Sequence, residues 1–191
     1  MKVVFGIGNP GRRYLRTRHN AGFRVVEALA DAVGASWERG EAGLTGEGTL
    51  GAERVLLVKP QDYVNCSGES FGRVQRWHRL DLADMLVVCD DFHLPVGAIR
   101  ARRKGSSAGH NGLQSVLDAA GTPEVPRLRV GIGPLRSGWD AADFVLSVFD
   151  ADEEESIADA IARAADAAGE WVRHGIEACM NRCNRTGPAP E

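Results

Sequence analysis

Short apolar runs of strand length alternate along the chain with segments whose apolar residues recur at helical spacing. The runs are rich in valine, leucine and isoleucine, which favours strands. In the clearest helical segment, Phe23, Val26 and Leu29 fall on one face. The predicted strands are 3–7, 54–59, 85–89, 97–102 and 127–133, with a glycine-rich candidate at 43–50, and the predicted helices are 22–33, 67–78, 111–119 and 152–178.

This alternation predicts an α/β protein with a mixed, twisted β-sheet flanked by α-helices. The chain has 191 residues and is 43% hydrophobic, which suits one globular domain with a substantial core. We therefore predict a single domain over residues 1–185. The segment 186–191, TGPAPE, has the composition of a disordered tail.

Composition limits which cellular compartment and which role of the cysteines are to be expected. The sequence has no apolar run of about 18 residues, so it predicts no membrane span. Its first residues lack the charged and apolar regions of a secretory signal, and we expect a cytoplasmic protein. Among the four cysteines, Cys179 and Cys183 are spaced C-x3-C without a second ligand pair nearby. Reduced thiols are therefore expected rather than zinc ligands.

The net charge of −3 argues against a nucleic-acid partner, but the arginines are not evenly spread. Local basic patches bind a polyanion whatever the overall sign of the charge. Charge alone leaves solvated arginines and a polyanion site equally open. The basic residues cluster at Arg12, Arg13, Arg16 and Arg18, then at Arg100, Arg102, Arg103 and Lys104, and again at Arg127, Arg129 and Arg136.

The first predicted strand runs into GIGNPG, which fits the G-x-G-x-x-G pattern of dinucleotide sites. Such a site needs a helix that begins at the glycines, and an acidic residue after the next strand. After Gly11 the chain reads RRYLRTRHN, without helical periodicity, and Glu27 falls inside the predicted helix. The pattern therefore predicts a tight turn rather than a nucleotide site.

Most of the loops that follow strands carry polar residues typical of a site. The motifs GIGNPG…Y…TRHNAGF, KP..Y.N.SG, DD..LP.G, GSSAGHNGL and RLRVGIG occur in that order. In order and spacing they resemble the bacterial-type peptidyl-tRNA hydrolase family, from residue 3 to about residue 150 and on into a C-terminal helix. The resemblance implies hydrolysis of the ester between a peptide and the 3′ ribose of tRNA. It implies no metal or cofactor, and its implied partner is the acceptor end of peptidyl-tRNA. We expect a monomer.

Ester hydrolysis needs a base for water and a group that orients the base. His19, in the polar TRHN loop, is the best base, and Asp90, at the end of an apolar strand, is the best orienting carboxylate. The resemblance assigns both as catalytic. Taken singly, His19 also suits the start of a helix, and Asp90 suits a turn that Asp91 would serve as well.

Three asparagines and two tyrosines complete the candidate substrate site. Singly, asparagines in glycine-containing loops are turn residues and tyrosines are half-buried packing residues. Here they match family positions that bind the peptidyl part or the reacting centre. The tyrosines either stack on the terminal adenosine or line the peptide groove. The five residues are Asn9, Tyr14, Tyr63, Asn65 and Asn111.

The resemblance also assigns tRNA phosphate contacts to Arg102 and Arg129, with Lys104 as a further candidate. Arginine pairs with phosphate through two parallel hydrogen bonds. Base readout is not needed for a substrate that is any peptidyl-tRNA.

Several residues depart from the family pattern, and they leave open a divergent paralogue that acts on another aminoacyl- or acyl-tRNA. A noncatalytic RNA-binding member of the fold is a separate alternative. His93 stands where the family has an acid. It either caps a surface turn or meets tRNA. The departures are Cys89, His93, Ser147 and Val148.

Overall fold

A twisted sheet of seven strands lies between two layers of helices in the computed structural model, which describes residues 1–184. The strands are β1 (Lys2–Gly6), β2 (Glu38–Gly40), β3 (Gly43–Leu50), β4 (Glu53–Pro60), β5 (Met85–Pro95), β6 (Ile99–Arg102) and β7 (Arg127–Gly133). The helices are α1 (Ala21–Val33), α2 (Ser67–His78), α3 (Asn111–Ala120), α4 (Ala141–Leu146), α5 (Glu154–His174) and α6 (Ile176–Asn184).

The sheet is mixed, as predicted. Its order is β2-β3-β4-β1-β5-β7-β6. The central strands β4, β1, β5 and β7 are parallel, whereas β2, β3 and β6 pair antiparallel at the two edges. The carboxyl ends of the four parallel strands therefore meet at one edge of the sheet, where sites form in α/β proteins.

Two apolar cores cover the two faces of the sheet, which explains why the central strands read as nearly continuous apolar runs. On one face, Val4 of β1 packs in a cluster with α1 and the fully buried Trp171 of α5. On the other face, Phe5 meets Phe71 of α2 edge to face at 5.6 Å between ring centroids. Successive residues of β1 thus contact opposite helix layers.

The glycine turn after β1 does not open a helix. Residues between Gly11 and α1 form two short 3-10 turns, Arg12–Tyr14 and Arg18–Asn20, before α1 begins at Ala21. Gly22 lets α1 lie against the chain after β1, because a Cβ there would stand 2.4 Å from the Ile7 carbonyl oxygen. Among the described residues, no α-helix begins at Gly11 to receive a pyrophosphate, as the sequence predicts.

The structure corrects several predicted elements. Strand β5 continues to Pro95 instead of ending at 89, because its last residues pair irregularly with β7. The predicted helix 152–178 is two helices, α5 and α6, divided at Gly175, whose φ is 80°. The short elements β2 and α4 were not predicted. Asp140 caps α4 by accepting hydrogen bonds from the backbone N–H groups of Ala142 and Asp143.

Other expectations concern the chain's ends and its thiols. The predicted tail at 186–191 lies outside the described residues. Within 1–184, no helix has both the length and the apolar character needed to cross a membrane. The four cysteines form no disulfide in the structure, and Cys179 and Cys183 are buried together in α6 with 3.9 Å between their sulfur atoms.

Candidate active site

The loops after β1 and β4, the middle of β5 and the start of α3 meet in one cleft at the carboxyl edge of the sheet. The short helix α4 forms a wall of this cleft through Ala142 and Val145. Eight of the ten residues predicted from the sequence line the cleft: Asn9, Tyr14, His19, Tyr63, Asn65, Asp90, Asn111 and Arg129.

His19 and Asp90 are in direct contact. His19 Nδ1 lies 2.8 Å from Asp90 Oδ1, and the carboxylate side chain is almost fully buried in the middle of β5. Because a carboxylate accepts hydrogen bonds, the imidazole carries its proton on Nδ1. His19 Nε2 is then the unprotonated nitrogen, which is the atom that a general base uses.

A second histidine, His110, shares the same carboxylate oxygen, and the sequence did not identify it as a site residue. Its Nδ1 accepts the backbone N–H of Leu113 at 3.1 Å and caps α3. Its Nε2–H donates to Asp90 Oδ1 at 2.9 Å. The only sequence signal was its place in GHNG just before a helix.

Asp90 and His19 shift each other's titration. Burial opposes ionisation of Asp90, but the charges of His19 and His110 and their hydrogen bonds outweigh it and lower the pKa of this carboxyl. For His19, burial favours the neutral ring, yet the charge of Asp90 and the hydrogen bond to it raise the pKa above the ordinary 6.5. Asp90 therefore stays ionised and stabilises a protonated His19.

His19, Asp90 and His110 also have the spacing of metal ligands, with ligand atoms within 4.8 Å of one another. His110 fits a metal poorly. Its Nδ1 faces the Leu113 N–H, so the proton must stay on Nε2, the nitrogen that would bind the ion. The donor set thus suits a hydrogen-bonded triad better than a metal centre.

Asp91 has different hydrogen-bond partners from Asp90, although both line the cleft, and this distinguishes the two neighbouring aspartates. Consecutive strand residues face opposite sides of a sheet. Asp91 accepts hydrogen bonds from Arg129 Nη1 and from the backbone N–H of His93, both at 2.8 Å. The geometry therefore supports Asp90 as the residue that orients His19.

Asn9 is held so that its amide nitrogen remains available. Its Oδ1 accepts the backbone N–H of Val64 at 3.1 Å. Asn20, which sequence reasoning missed, fixes the main chain of Asn9: Oδ1 accepts the Asn9 N–H at 2.8 Å and Nδ2 donates to the Asn9 carbonyl at 3.0 Å. Nothing in the spacing of the two asparagines signals this clamp.

Comparison with known proteins agrees with this geometry. The family model described as peptidyl-tRNA hydrolase matches residues 3–190. The chain belongs to the peptidyl-tRNA hydrolase family. It is 45% identical to the peptidyl-tRNA hydrolase of Chloroflexus aggregans, over 96% of this chain and 99% of that one. It is 46% identical to that of Symbiobacterium thermophilum, over 96% and 98% of the two chains.

Solved structures show the same fold. The crystal structure of the peptidyl-tRNA hydrolase from Acinetobacter baumannii superposes with a TM-score of 0.92 at 32% identity. The alignment covers 99% of this chain and 97% of that one. The predicted fold class is thereby confirmed.

The two remaining predicted residues of this peptidyl-tRNA hydrolase family member lie outside the cleft. Arg102 is exposed on β6, the edge strand, and has no ion-pair partner within residues 1–184. Lys104 is exposed in the next loop, with Glu124 3.2 Å away. In register, Arg102 lies opposite Arg127 of β7, so basic side chains follow this edge of the sheet.

Arg127 has a different task from Arg102. It is buried, and its guanidinium donates to the carbonyl oxygens of Val125, Gly105 and Pro123 at 2.6, 2.7 and 3.0 Å. It thereby holds the loop that leads from β6 to His110. The arginines that cluster in the sequence therefore differ: Arg127 is buried and stabilises a loop, whereas Arg102 is exposed.

Departures from the peptidyl-tRNA hydrolase pattern also find places in the structure. His93 lies within β5, and its ring contacts the loop that leads to α3. Its Nε2–H donates to the Ala108 carbonyl at 3.2 Å, and its ring packs on Phe92 with centroids 4.5 Å apart. Ser147 Oγ accepts a hydrogen bond from Arg18 Nε at 3.3 Å.

Proposed function

We propose that this protein hydrolyses the ester that joins a peptide, or an N-blocked amino acid, to the 3′ ribose of tRNA. The observation that carries the proposal is the buried Asp90 carboxylate, which holds His19 with Nε2 free in a cleft lined by three asparagines. This arrangement supplies a base, an orienting charge and neutral donors, which are the needs of ester hydrolysis.

His19 acts as the general base. Nε2 takes a proton from water as the water oxygen bonds to the ester carbonyl carbon, and the carbonyl electrons move onto its oxygen. The tetrahedral intermediate collapses, the bond to the ribose oxygen breaks, and protonated His19 returns the proton to that oxygen. Asp90 remains ionised throughout and stabilises the imidazolium.

Asn9 is the best donor to the reacting carbonyl. With Oδ1 engaged by the Val64 N–H, it presents Nδ2–H to the cleft. Asn65 and Asn111 are exposed on the same groove, beside Tyr14 and Tyr63, and we assign them to the peptide and the terminal adenosine. A neutral, preorganised amide stabilises the developing oxyanion without reorganisation.

The tRNA is held by phosphate contacts. Arg129 lines the cleft beside His19, and exposed Arg102 and Lys104 continue the basic path along the sheet edge. These contacts position any tRNA without reading its bases. We place this reaction in the cytoplasm, with a monomeric enzyme that uses neither metal nor cofactor.

A noncatalytic RNA-binding role is the less favoured alternative. RNA binding alone gives no reason for the tautomer of His19 to be fixed by a buried carboxylate, because that contact adds nothing to phosphate recognition. The arrangement is explained by proton transfer.

Release of N-acetyl-aminoacyl groups from tRNA tests the proposal. We expect steady turnover of N-acetyl-aminoacyl-tRNA and much slower release from free aminoacyl-tRNA. His19→Ala should lower kcat by about 10²–10⁴-fold with little change in tRNA affinity, because only the general base is lost.

His174→Ala is the matched control, since this histidine is exposed at the end of α5 and does not line the cleft. It should retain the activity of the parent protein. If His19→Ala also kept that activity, His19 would not be the base, and absence of turnover in the parent protein would remove the function itself.

A further inference from the structure

Arg18, the residue before His19, is a buried cation. Its side chain is only 1% exposed, although the sequence places it among the arginines of a polar loop. It donates from both terminal nitrogens to Glu153, from Nη1 to the Ile132 carbonyl at 2.9 Å, and from Nε to Ser147 Oγ at 3.3 Å. Its charge is therefore fully engaged away from solvent.

Two aromatic rings enclose the same guanidinium. Its central carbon lies 4.7 Å from the ring centroids of both Phe144 in α4 and Phe149. Cations interact favourably with ring faces at this distance. A planar guanidinium fits between rings while its edge donates hydrogen bonds, which an ammonium group cannot reproduce.

Burial of a charge pair seldom adds net stability over apolar side chains of similar size, so its geometry is the informative feature. Arg18 joins parts of the chain that are distant in sequence. Ile132 is the second-last residue of β7, Ser147 follows α4, and Glu153 precedes α5. All three contacts are made by the residue next to the catalytic histidine.

The main chain reinforces this connection. The Arg18 N–H donates to the Ser147 carbonyl at 2.9 Å, and Thr17 forms an antiparallel bridge with Val148. Helix α4 ends just before these residues, and its Ala142 and Val145 form the cleft wall that faces His19. The contacts of Thr17 and Arg18 with Ser147 and Val148 therefore set the position of the α4 wall and that of His19 together.

We propose that Arg18 is a positioning residue that holds the α4 wall and the His19 loop in the geometry needed for catalysis. It contacts neither Asp90 nor His110, the ionisable groups that face His19, and it acts through the backbone of its neighbour. The predicted effect of Arg18 on kcat rests on the proposed hydrolysis, whereas its predicted effect on the titration of the His19 ring does not.

Charge-preserving variants provide the test. Arg18→Lys keeps the charge but cannot reach Ile132, Ser147 and Glu153 together. Glu153→Asp keeps the charge and withdraws the carboxylate by one methylene. We expect kcat at pH 8 to fall by about tenfold to 100-fold in each, since small displacements of reacting groups have effects of this size.

The second readout is the NMR titration of the His19 ring, which needs no substrate. In Arg18→Lys and Glu153→Asp the contact between His19 and Asp90 should loosen. The midpoint of the His19 titration should then fall toward the ordinary value for histidine. Loss of overall stability alone would lower the melting temperature without moving the midpoint or the turnover of folded protein.

The neighbouring exposed pair offers matched controls. Arg16 and Glu154 lie 3.2 Å apart, and the Arg16 side chain is 80% exposed. Arg16→Lys and Glu154→Asp should leave kcat and the midpoint unchanged.

Unchanged kcat and midpoint in Arg18→Lys would overturn the proposal, whatever its melting temperature. If that variant does not fold, Glu153→Asp decides by the same two measurements. Should the parent protein show no hydrolysis, the proposed function fails, and the titration still tests the role of Arg18.

Discussion

Asp90 is the residue on which the two cleft histidines converge. Both donate to the same oxygen, yet they are not equivalent, because His110 is tied to the backbone of Leu113 and His19 is not. His110 therefore helps to fix the carboxylate, and His19 keeps a nitrogen for chemistry. The raised pKa of His19 follows chiefly from the Asp90 charge overcoming the effect of burial.

The pH dependence of kcat/KM should report this balance. A general base must be neutral, so kcat/KM should rise with pH through a pKa above 6.5 and then level off. In Asp90→Asn the opposing charge is lost and burial remains, so the inflection should move to lower pH. The plateau should also fall, by about 10²–10⁴-fold, because the amide favours the wrong tautomer.

A pH series of initial rates measures both effects. Asp91→Asn is the informative comparison, since Asp91 contacts Arg129 rather than His19. Its inflection should stay near that of the parent protein. Movement of the inflection in Asp91→Asn together with none in Asp90→Asn would assign the orienting carboxylate to the neighbouring residue.

At the level of the helices, α2 ends differently from α1 and α3. The latter two end at Gly34 and Gly121, each with φ of 66°, as is common for the left-handed residue that terminates a helix. In α2 this position is Arg79, with φ of 53°. A side chain in this conformation is strained by its own Cβ.

Arg79→Gly should therefore stabilise the protein by about 1 kcal/mol. For a protein of this size the melting temperature should rise by about 2–4 °C, measured by calorimetry or circular dichroism. Hydrolysis should not change, because Arg79 lies outside the residues that line the cleft.

Gly34→Ala is the reciprocal experiment at the end of α1. A Cβ there would meet no atom within 4 Å, so any loss comes from the backbone conformation alone. It should lower the melting temperature by a similar amount. Equal stability of Arg79→Gly and the parent protein would show that the α2 terminus relaxes its strain in solution.

The sheet order accounts for the shape of the active face. Strand β1 lies between β4 and β5, so the loops carrying His19 and Asn65 emerge beside Asp90 of β5. Strand β6 then places Arg102 at the sheet edge, beyond β7 and Arg129. In the binding mode proposed above, a substrate with its ester at His19 directs its phosphates along this edge, in a protein whose net charge is −3.

Salt dependence of tRNA binding tests that path. Arg102→Gln should reduce the slope of log Kd against log salt concentration by about one unit, because one phosphate contact is lost. Arg54→Gln is the control, since Arg54 is exposed on β4 and pairs with Glu47 of β3 instead of following the basic edge. An equal change in both variants would contradict a localised phosphate path.

The sequence by itself determined the α/β class, most of the strands and helices, and the pair His19 and Asp90. Apolar periodicity reports burial within an element, so β1, α1 and β7 were recognised without knowledge of their neighbours. The motifs identified the loops that carry the site residues, because the order and spacing of motifs can be recognised along the chain without knowledge of the fold.

Contacts between distant segments were decided only by the tertiary structure. His110 joins Asp90, and Arg18 joins Glu153, across separations that no local pattern encodes. The lengths of β5 and of the predicted helix 152–178 also depended on context. Pairing with β7 extends β5, and the positive φ at Gly175 divides the helix. Local sequence specifies which face of an element is buried, whereas the fold specifies which partner it meets there.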